Sequence, residues 1–147
     1  MTAIDDLFNV GTSTWLDDLS RERITSGNLD EIKAQKSIVG VTTNPAIFAK
    51  AMSAGDAYSE QLAELRAASS LADAAVYAMS VKDVQDACDL FMDTYEATGG
   101  KDGRVSIEVD PRYAADEEKT VAQAAELWKL VGRENVMIKI PATDESM

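Results

Sequence analysis

A lysine lies in the middle of an apolar run near the end of the chain. Lys139 is the one charged residue in the segment VMIKIP, residues 136–141, whose other residues have the composition of a buried strand. Lysine is almost never fully buried unless it is paired or used. Desolvation lowers the pKa of an amine and leaves it nucleophilic, so that it can form a Schiff base with a carbonyl compound. Lys139 is therefore a candidate nucleophile.

Polar side chains also follow three other apolar runs. Asp17 follows TWL, Thr42 and Asn44 follow IVGV, and Glu108 follows RVSI. An amine nucleophile, carboxylates for proton transfer and an amide to orient the substrate form the set that a Schiff-base aldolase needs. One carboxylate would help to dehydrate the carbinolamine, and a second would take the proton of the hydroxyl being cleaved. We expect this chemistry to need neither a metal nor an organic cofactor.

The composition excludes several other classes of function. The chain has no histidine, which removes Ser-His-Asp and Cys-His catalysis and the commonest zinc ligand. The net charge of −12 argues against nucleic acid or an anionic membrane as a partner, because both need a basic surface. A phosphorylated substrate stays compatible with this charge, since a pocket can be locally basic.

The cysteine count and the apolar runs indicate a cytoplasmic setting. Cys88 is the only cysteine, so no disulfide can form within the chain, and a reducing compartment is expected. The first ten residues, MTAIDDLFNV, lack the basic and apolar regions of a secretory signal. No stretch approaches the roughly 18 consecutive apolar residues of a membrane span.

Four predicted strands alternate with helical patterns. The strands are expected at residues 12–17, 37–43, 104–110 and 136–140. One apolar helical face follows Ser80, and a second is expected in residues 121–131, where Trp128 is assigned to core or barrel-bottom packing. Capping boxes are predicted to start at Asn28 and at Ser80, and Asn44-Pro45 is typical of a helix start. Strand alternating with helix indicates a parallel sheet with crossover helices.

Side-chain alternation along these strands distinguishes two parallel folds. Each predicted strand has one apolar face and one face that becomes polar toward its carboxyl end, where Asp17, Thr42, Asn44, Glu108 and Lys139 fall. A doubly wound sheet buries both faces and usually reads apolar throughout, whereas a barrel opens its inner face to an active site. We predict an α/β fold that is the first half, about four β/α units, of a (β/α)8 TIM barrel, with residues 1–147 forming the N-terminal portion of one domain.

The segments that carry these residues resemble the transaldolase family. They are WLD at 15–17, GVTTNPAIF at 40–48, VSIEVDP at 105–111 and MIKIPAT at 137–143. Their order and spacing agree over the whole chain, and the TTNPAIF form resembles the bacterial branch of the family. The resemblance covers the N-terminal half of a family member.

The resemblance implies a reaction and a role for each residue. The reaction is transfer of a dihydroxyacetone unit from a ketose phosphate to an aldose phosphate, in the pentose phosphate pathway, with sugar phosphates as partners. Lys139 would be the Schiff-base lysine, and Asp17 the acid/base on the substrate hydroxyl. Glu108 would act through a catalytic water, Asn44 would bind the dihydroxyacetone unit, and Thr42 would line the pocket.

Each of these residues also has a plainer interpretation. In that interpretation, Lys139 lies on an edge strand and its side chain reaches solvent, and Glu108 is a solvated residue of a strand. Asp17, or the neighbouring Asp18, suits the cap of a helix that starts near residue 20. Asn44 suits an N-cap alone, and Thr42 suits ordinary β-propensity.

Two other functions stay open from the sequence. One is a non-catalytic half-barrel that self-associates through its open strand edges. The other is a lysine-type aldolase that releases its product instead of transferring it.

Overall fold

The computed structural model describes residues 3–146. Its centre is a four-stranded sheet of β1 (Thr14–Leu16), β2 (Ile38–Val41), β3 (Arg104–Glu108) and β4 (Val136–Lys139). The strands lie in the order β1-β2-β3-β4, and each neighbouring pair is parallel. This confirms the predicted parallel α/β sheet, with all four strands found where the sequence patterns indicated them.

Residues 3–146 also form seven α-helices and one short 3-10 helix. The α-helices are α1 (Ala3–Asn9), α2 (Arg21–Thr25), α3 (Asn28–Gln35), α4 (Pro45–Met52), α5 (Ser59–Ala67), α6 (Ala72–Ala97) and α7 (Glu117–Val131), and the 3-10 helix is Pro111–Tyr113. Helices therefore make every crossover between consecutive strands, as parallel pairing requires.

The strands are shorter than the apolar runs suggested, because the residues at their carboxyl ends cap the next helix. Asn44 accepts a hydrogen bond from the Ile47 N–H and places Pro45 at the first position of α4. Asp110 similarly accepts from the Arg112 N–H at the start of the 3-10 helix. The predicted helix start at Asn44-Pro45 is thus confirmed, and polar capping residues end the strands β2 and β3.

The core lies between one face of the sheet and α6. Val105 and Ile107 of β3 are buried in the same cluster as Val84, Cys88 and Phe91 of α6. The helical face predicted after Ser80 is therefore confirmed. Apolar side chains on a helix stripe and on alternate strand positions are what such a two-layer core needs.

The other face of the sheet is closely packed at its first two strands. Trp15 and Gly40 are register partners on β1 and β2. A Cβ atom at residue 40 would lie 2.6 Å from the Trp15 ring, so glycine is required for the indole to lie flat on the sheet.

The start of β4 is fixed by a buried amide. The Asn135 Nδ2 donates to the Cys88 carbonyl of α6 and to the Gly103 carbonyl before β3, each at 2.8 Å. Asn135 is fully buried, so these bonds hold the loop before β4 against both neighbours.

Three sequence predictions about the helices are wrong. Ser80 is inside α6 and donates to the Val76 carbonyl instead of capping a helix. The N-cap of α3 is Gly27, so Asn28 is already helical. Trp128 is 51% exposed, because only Leu127 and Val131 of α7 turn fully into the core.

Within residues 3–146, no helix has both the length and the apolar content that crossing a lipid bilayer requires.

Candidate active site

A lysine–carboxylate pair lies at the carboxyl ends of two adjacent strands. Glu108 and Lys139 are the last residues of β3 and β4 and are Cα partners in the parallel register. The Lys139 Nζ lies 3.1 Å from the Glu108 Oε2 and donates to the Thr43 carbonyl at 2.8 Å. The lysine side chain is 40% exposed and the glutamate 21%. The amine is held by two acceptors and is still open to a small molecule.

A network of hydroxyl groups joins Ser106 of β3 to the residues that follow β2. The Ser106 Oγ accepts from the Thr43 N–H at 3.1 Å and donates to the Thr42 Oγ1 at 3.0 Å. The Thr43 Oγ1 in turn donates to the Ser106 carbonyl at 2.7 Å. Thr43 is fully buried and Ser106 nearly so. These bonds fix the Thr43 carbonyl, which is the oxygen that receives the lysine.

Asn44 and Glu108, but not Lys139, line one cavity. The Asn44 Oδ1 caps α4, which leaves the amide nitrogen as a donor for another partner. This cavity of about 480 Å³ has walls from one side of α4, the start of α6 and the end of β3. Tyr77 is part of that wall, and burial raises its pKa to about 12. The amide and the carboxylate therefore face the same space.

An ion pair closes the far side of this cavity. Arg112 binds Asp110 and also Asp73. The guanidinium beside Asp110 holds the pKa of that carboxyl below its usual value. Because Arg112 is already engaged by two carboxylates, it offers little free positive charge to a substrate phosphate.

Asp17 is not brought into contact with the other predicted residues. It follows β1 directly and is exposed, and β1 is separated from β4 by two strands. With strands about 4.8 Å apart, the two ends of the sheet are too far apart for a direct hydrogen bond. The helix that follows is capped by Ser20 itself, so the interpretation of Asp17 or Asp18 as that cap is wrong.

Sequence reasoning missed two parts of this site. Ser106 shares the strand face of Glu108, so side-chain alternation could have identified it. Thr43 contributes its carbonyl, for which no side-chain pattern gives a signal. Within residues 3–146, no group of three or more Cys, Asp or Glu side chains has a geometry suited to a metal ion.

The arrangement can support amine chemistry on a carbonyl compound. A primary amine lies beside a carboxylate that can accept or return its proton, and that carboxylate lines a cavity together with Asn44. The Thr43 carbonyl accepts a hydrogen bond from the amine, and the Ser106 hydroxyl in turn accepts one from the Thr43 N–H. These are the parts that imine formation needs: a nucleophile, a proton acceptor and a positioned donor.

The chain is similar over nearly its whole length to proteins named transaldolase. The chain is 56% identical over 133 residues to the transaldolase of Mycobacterium ulcerans, 57% over 140 residues to transaldolase 1 of Streptomyces avermitilis and 53% over 146 residues to the transaldolase of Kocuria rhizophila. These alignments cover 90%, 95% and 99% of this chain but 36%, 37% and 40% of the relatives. The chain thus spans well under half the length of the curated relatives it matches.

A family comparison covers nearly the whole chain. The family described as transaldolase/fructose-6-phosphate aldolase matches residues 14–147, a range that includes all four strands and every candidate residue. The chain belongs to the transaldolase/fructose-6-phosphate aldolase family.

Proposed function

We propose that this chain carries the Schiff-base centre of a transaldolase, in which Lys139 accepts a dihydroxyacetone unit from a ketose phosphate and passes it to an aldose phosphate. The observation that carries the proposal is the 3.1 Å pair of Lys139 Nζ and Glu108 Oε2 at adjacent strand ends. The fold inferred with it is the first half of a (β/α)8 barrel, and the setting is the pentose phosphate pathway of the cytoplasm.

The first stage is formation of the imine. Glu108 accepts a proton from the Lys139 ammonium, and the neutral amine adds to the ketone carbon to give a carbinolamine. Protonation of the carbinolamine hydroxyl, by Glu108 or through a water, releases one water molecule and leaves an iminium ion. The carboxylate therefore gives back the proton that it took, and its charge is restored.

The second stage is cleavage and transfer. A base removes the proton of the hydroxyl on the far carbon of the bond to be broken. That carbon becomes the aldehyde of the released aldose phosphate, and the electron pair of the broken carbon–carbon bond moves into the iminium to give an enamine. Asp17 is assigned this role, and Asn44 would donate to a hydroxyl of the bound unit. The enamine then adds to the acceptor aldehyde, and hydrolysis frees Lys139. No electrons leave the system, so no redox partner is needed.

Reductive trapping tests the proposal. The chain is incubated with fructose 6-phosphate and borohydride, and the labelled peptide is identified by mass spectrometry. We expect one reduced dihydroxyacetone unit on Lys139, none in Lys139→Met, and full labelling in Lys129→Met, where the exposed lysine of α7 is removed instead. A folded sample that stays unlabelled, or is labelled equally at other lysines, would contradict the assignment of Lys139 as the Schiff-base lysine.

The family description favours one second candidate, an aldolase that releases its product, because it names both activities. The two differ in the fate of the enamine, which is protonated by the aldolase and captured by an acceptor aldehyde in the transferase. Adding an aldose phosphate acceptor should multiply the rate of donor consumption for a transferase, while free dihydroxyacetone should form without acceptor for an aldolase.

A further inference from the structure

A buried carboxylate lies among the helices, outside the cavity beside Glu108. Asp83, in the middle of α6, is 0% exposed. Its Oδ1 accepts from the Arg21 Nε at 2.8 Å, and its Oδ2 accepts from the Tyr58 hydroxyl at 2.7 Å. Tyr58 is 4% exposed and the Arg21 side chain 15%. These three residues form the Asp83 cluster, which is largely shielded from water.

The Asp83 cluster joins three separate parts of the chain. Arg21 is the first residue of α2, Tyr58 directly precedes α5, and Asp83 is in α6. The central carbon of the Arg21 guanidinium lies 4.6 Å from the centroid of the Tyr58 ring, and the Arg21 Nη2 donates to the Met79 carbonyl at 3.3 Å. The charge, the planar face and a second donor of the guanidinium are thus all in use. Together these contacts fix its orientation.

The Tyr58 hydroxyl also caps a helix. The first N–H groups of a helix lack partners within it, and the Arg21 N–H, at the start of α2, donates to the Tyr58 hydroxyl at 3.0 Å. The Ser20 Oγ accepts from the Arg23 N–H at 3.1 Å. The start of α2 is therefore fixed by its own N-cap and by a residue that comes 37 positions after Arg21 in the sequence.

Asp17 lies on the short segment between β1 and α2. β1 ends at Leu16, whose carbonyl accepts from the Thr42 N–H at 2.9 Å. Leu19 is 0% exposed and belongs to the apolar core, and Arg21 is held by the Asp83 cluster. The segment that carries Asp17 is thus anchored to the end of β2 on one side, and to the core and the cluster on the other.

Stability alone is a weak reason for this arrangement. Burial raises the pKa of the Asp83 carboxyl, and the desolvation of a buried ion pair largely offsets its Coulomb attraction. A buried network whose members are hydrogen-bonded does restrict the geometry of the groups that it joins. The geometry restricted here is the path of the chain as it leaves β1, just after Asp17.

We propose that the Asp83 cluster positions Asp17, and that it affects carbon–carbon cleavage without affecting imine formation. This inference rests on the proposed function, in which Asp17 takes the proton of the substrate hydroxyl. Imine formation uses Glu108 and Lys139 at the ends of β3 and β4, whereas the cluster anchors the segment that follows β1. Misplacing a catalytic group by about 1 Å can cost about 10²-fold in rate, so a small shift of the segment is enough.

Tyr58→Phe tests the proposal with a small change. It keeps the ring beside the Arg21 guanidinium and removes the hydroxyl that the Arg21 N–H and Asp83 share. Borohydride trapping with fructose 6-phosphate reports both steps, because an uncleaved adduct on Lys139 carries the whole sugar phosphate and a cleaved adduct carries only the dihydroxyacetone unit. We expect the ratio of uncleaved to cleaved adduct to rise by about tenfold or more, with the total labelling of Lys139 unchanged.

Two further variants make the trapping result specific. Asp17→Asn removes the proposed base and should raise the same ratio. Tyr95→Phe removes a phenol hydroxyl near the end of α6 and should leave the ratio at the wild-type value. An unchanged ratio in Tyr58→Phe, or an equal loss of both adducts, would overturn the positioning role. An unchanged ratio in Asp17→Asn would contradict the role of Asp17 in the proposed function, and this inference with it.

Hydrogen exchange tests the anchoring without substrate. The Arg21 amide should lose protection in Tyr58→Phe, and the amides of residues 17–20 should exchange faster, while Tyr95→Phe keeps the wild-type rates. Wild-type exchange throughout residues 17–21 in Tyr58→Phe would overturn the anchoring, whether or not Lys139 is labelled. A wild-type chain with no label on Lys139 would contradict the proposed function, and the exchange rates would still decide the anchoring.

Discussion

At the scale of single residues, the site depends on where one carboxylate lies. Glu108 is the Cα partner of Lys139 across β3 and β4, so the strand register alone brings acid and amine together. The buried Thr43 carbonyl adds a second acceptor on the side of β2. In the proposed reaction, a lysine held by two acceptors would be positioned before a substrate arrives, which lowers the entropic cost of reaction.

Glu108→Gln separates positioning from proton transfer. Glutamine keeps the size and can still accept a hydrogen bond from the amine, but it cannot take the proton that must leave before attack. We expect the rate of borohydride-trapped imine formation to fall by about 10²-fold or more. Glu118→Gln, on the exposed first turn of α7, is the matched control, and equal trapping rates in the two variants would refute the role of Glu108.

Side-chain alternation predicted Thr42, Asn44, Glu108 and Lys139 as site residues from the sequence, because the period of two is a local property of a strand. The contacts that fix them are not local. The bond from Ser106 to Thr42 and the bond from Lys139 to the Thr43 carbonyl join residues that are 64 and 96 positions apart, and only the order of the strands creates them. Asp17 shows the same limit. Alternation predicts it on the polar face, but β1 is the edge strand farthest from β4, which carries Lys139.

At the scale of elements, short polar sequences end the strands and start the helices. Asn44 and Asp110 do this after β2 and β3, and both border the cavity. The sequence indicated Asn44 because proline follows it. It gave the wrong start for α6 because Ser80 and Asp83 have the spacing of a capping box, whereas the apolar core keeps residues 72–97 in one long helix.

The cap at Asp110 should make part of the stability depend on pH. Arg112 lowers the pKa of this carboxyl in the folded chain, so its stabilisation is complete above about pH 4 and is lost as the pH falls through the lowered folded value. Asp110→Ala should reduce the free energy of unfolding by about 1 kcal/mol at pH 7, and by less near pH 3.

Urea unfolding at several pH values measures this difference. Asp56→Ala, at an exposed position between α4 and α5, provides a control with no cap to lose. A loss in Asp110→Ala that is the same at pH 3 and pH 7 would mean that the charge of the carboxylate contributes nothing.

The exposed side of α7 shows why a helical period alone does not assign the core. Val121, Leu127, Trp128 and Val131 fit one broad apolar stripe in the sequence, but the sheet covers only part of it. Leu127 and Val131 reach the core, whereas Val121 and Trp128 are exposed. The sequence determined that the helix is amphipathic, and the number of neighbouring elements determined how much of its apolar side is covered.

At the scale of the whole molecule, one buried thiol reports on the entire core. Cys88 is fully buried on α6, and burial raises its pKa to about 12. Only the thiolate reacts readily with disulfide reagents, so Cys88 should stay unmodified in the folded chain at pH 8 and react at once in guanidinium chloride. The rate of slow labelling should equal the rate of unfolding measured by circular dichroism.

An exposed thiol calibrates that experiment. Ser59→Cys, at the exposed start of α5, should react within the mixing time and leave the slow phase of Cys88 unaltered. Fast labelling of Cys88 in a folded sample would show that α6 opens without global unfolding.

The amide of Asn135 has a consequence for how the gene can change length. Its two bonds anchor residue 135 to both α6 and the segment before β3, so an added or deleted codon between Asn135 and Lys139 would turn the Lys139 side chain to the opposite face of the strand. The stretch from residue 53 to residue 57, exposed between α4 and α5, has no such constraint. Insertions and tags should therefore be tolerated in this stretch, whereas the interval from Asn135 to Lys139 must keep its length.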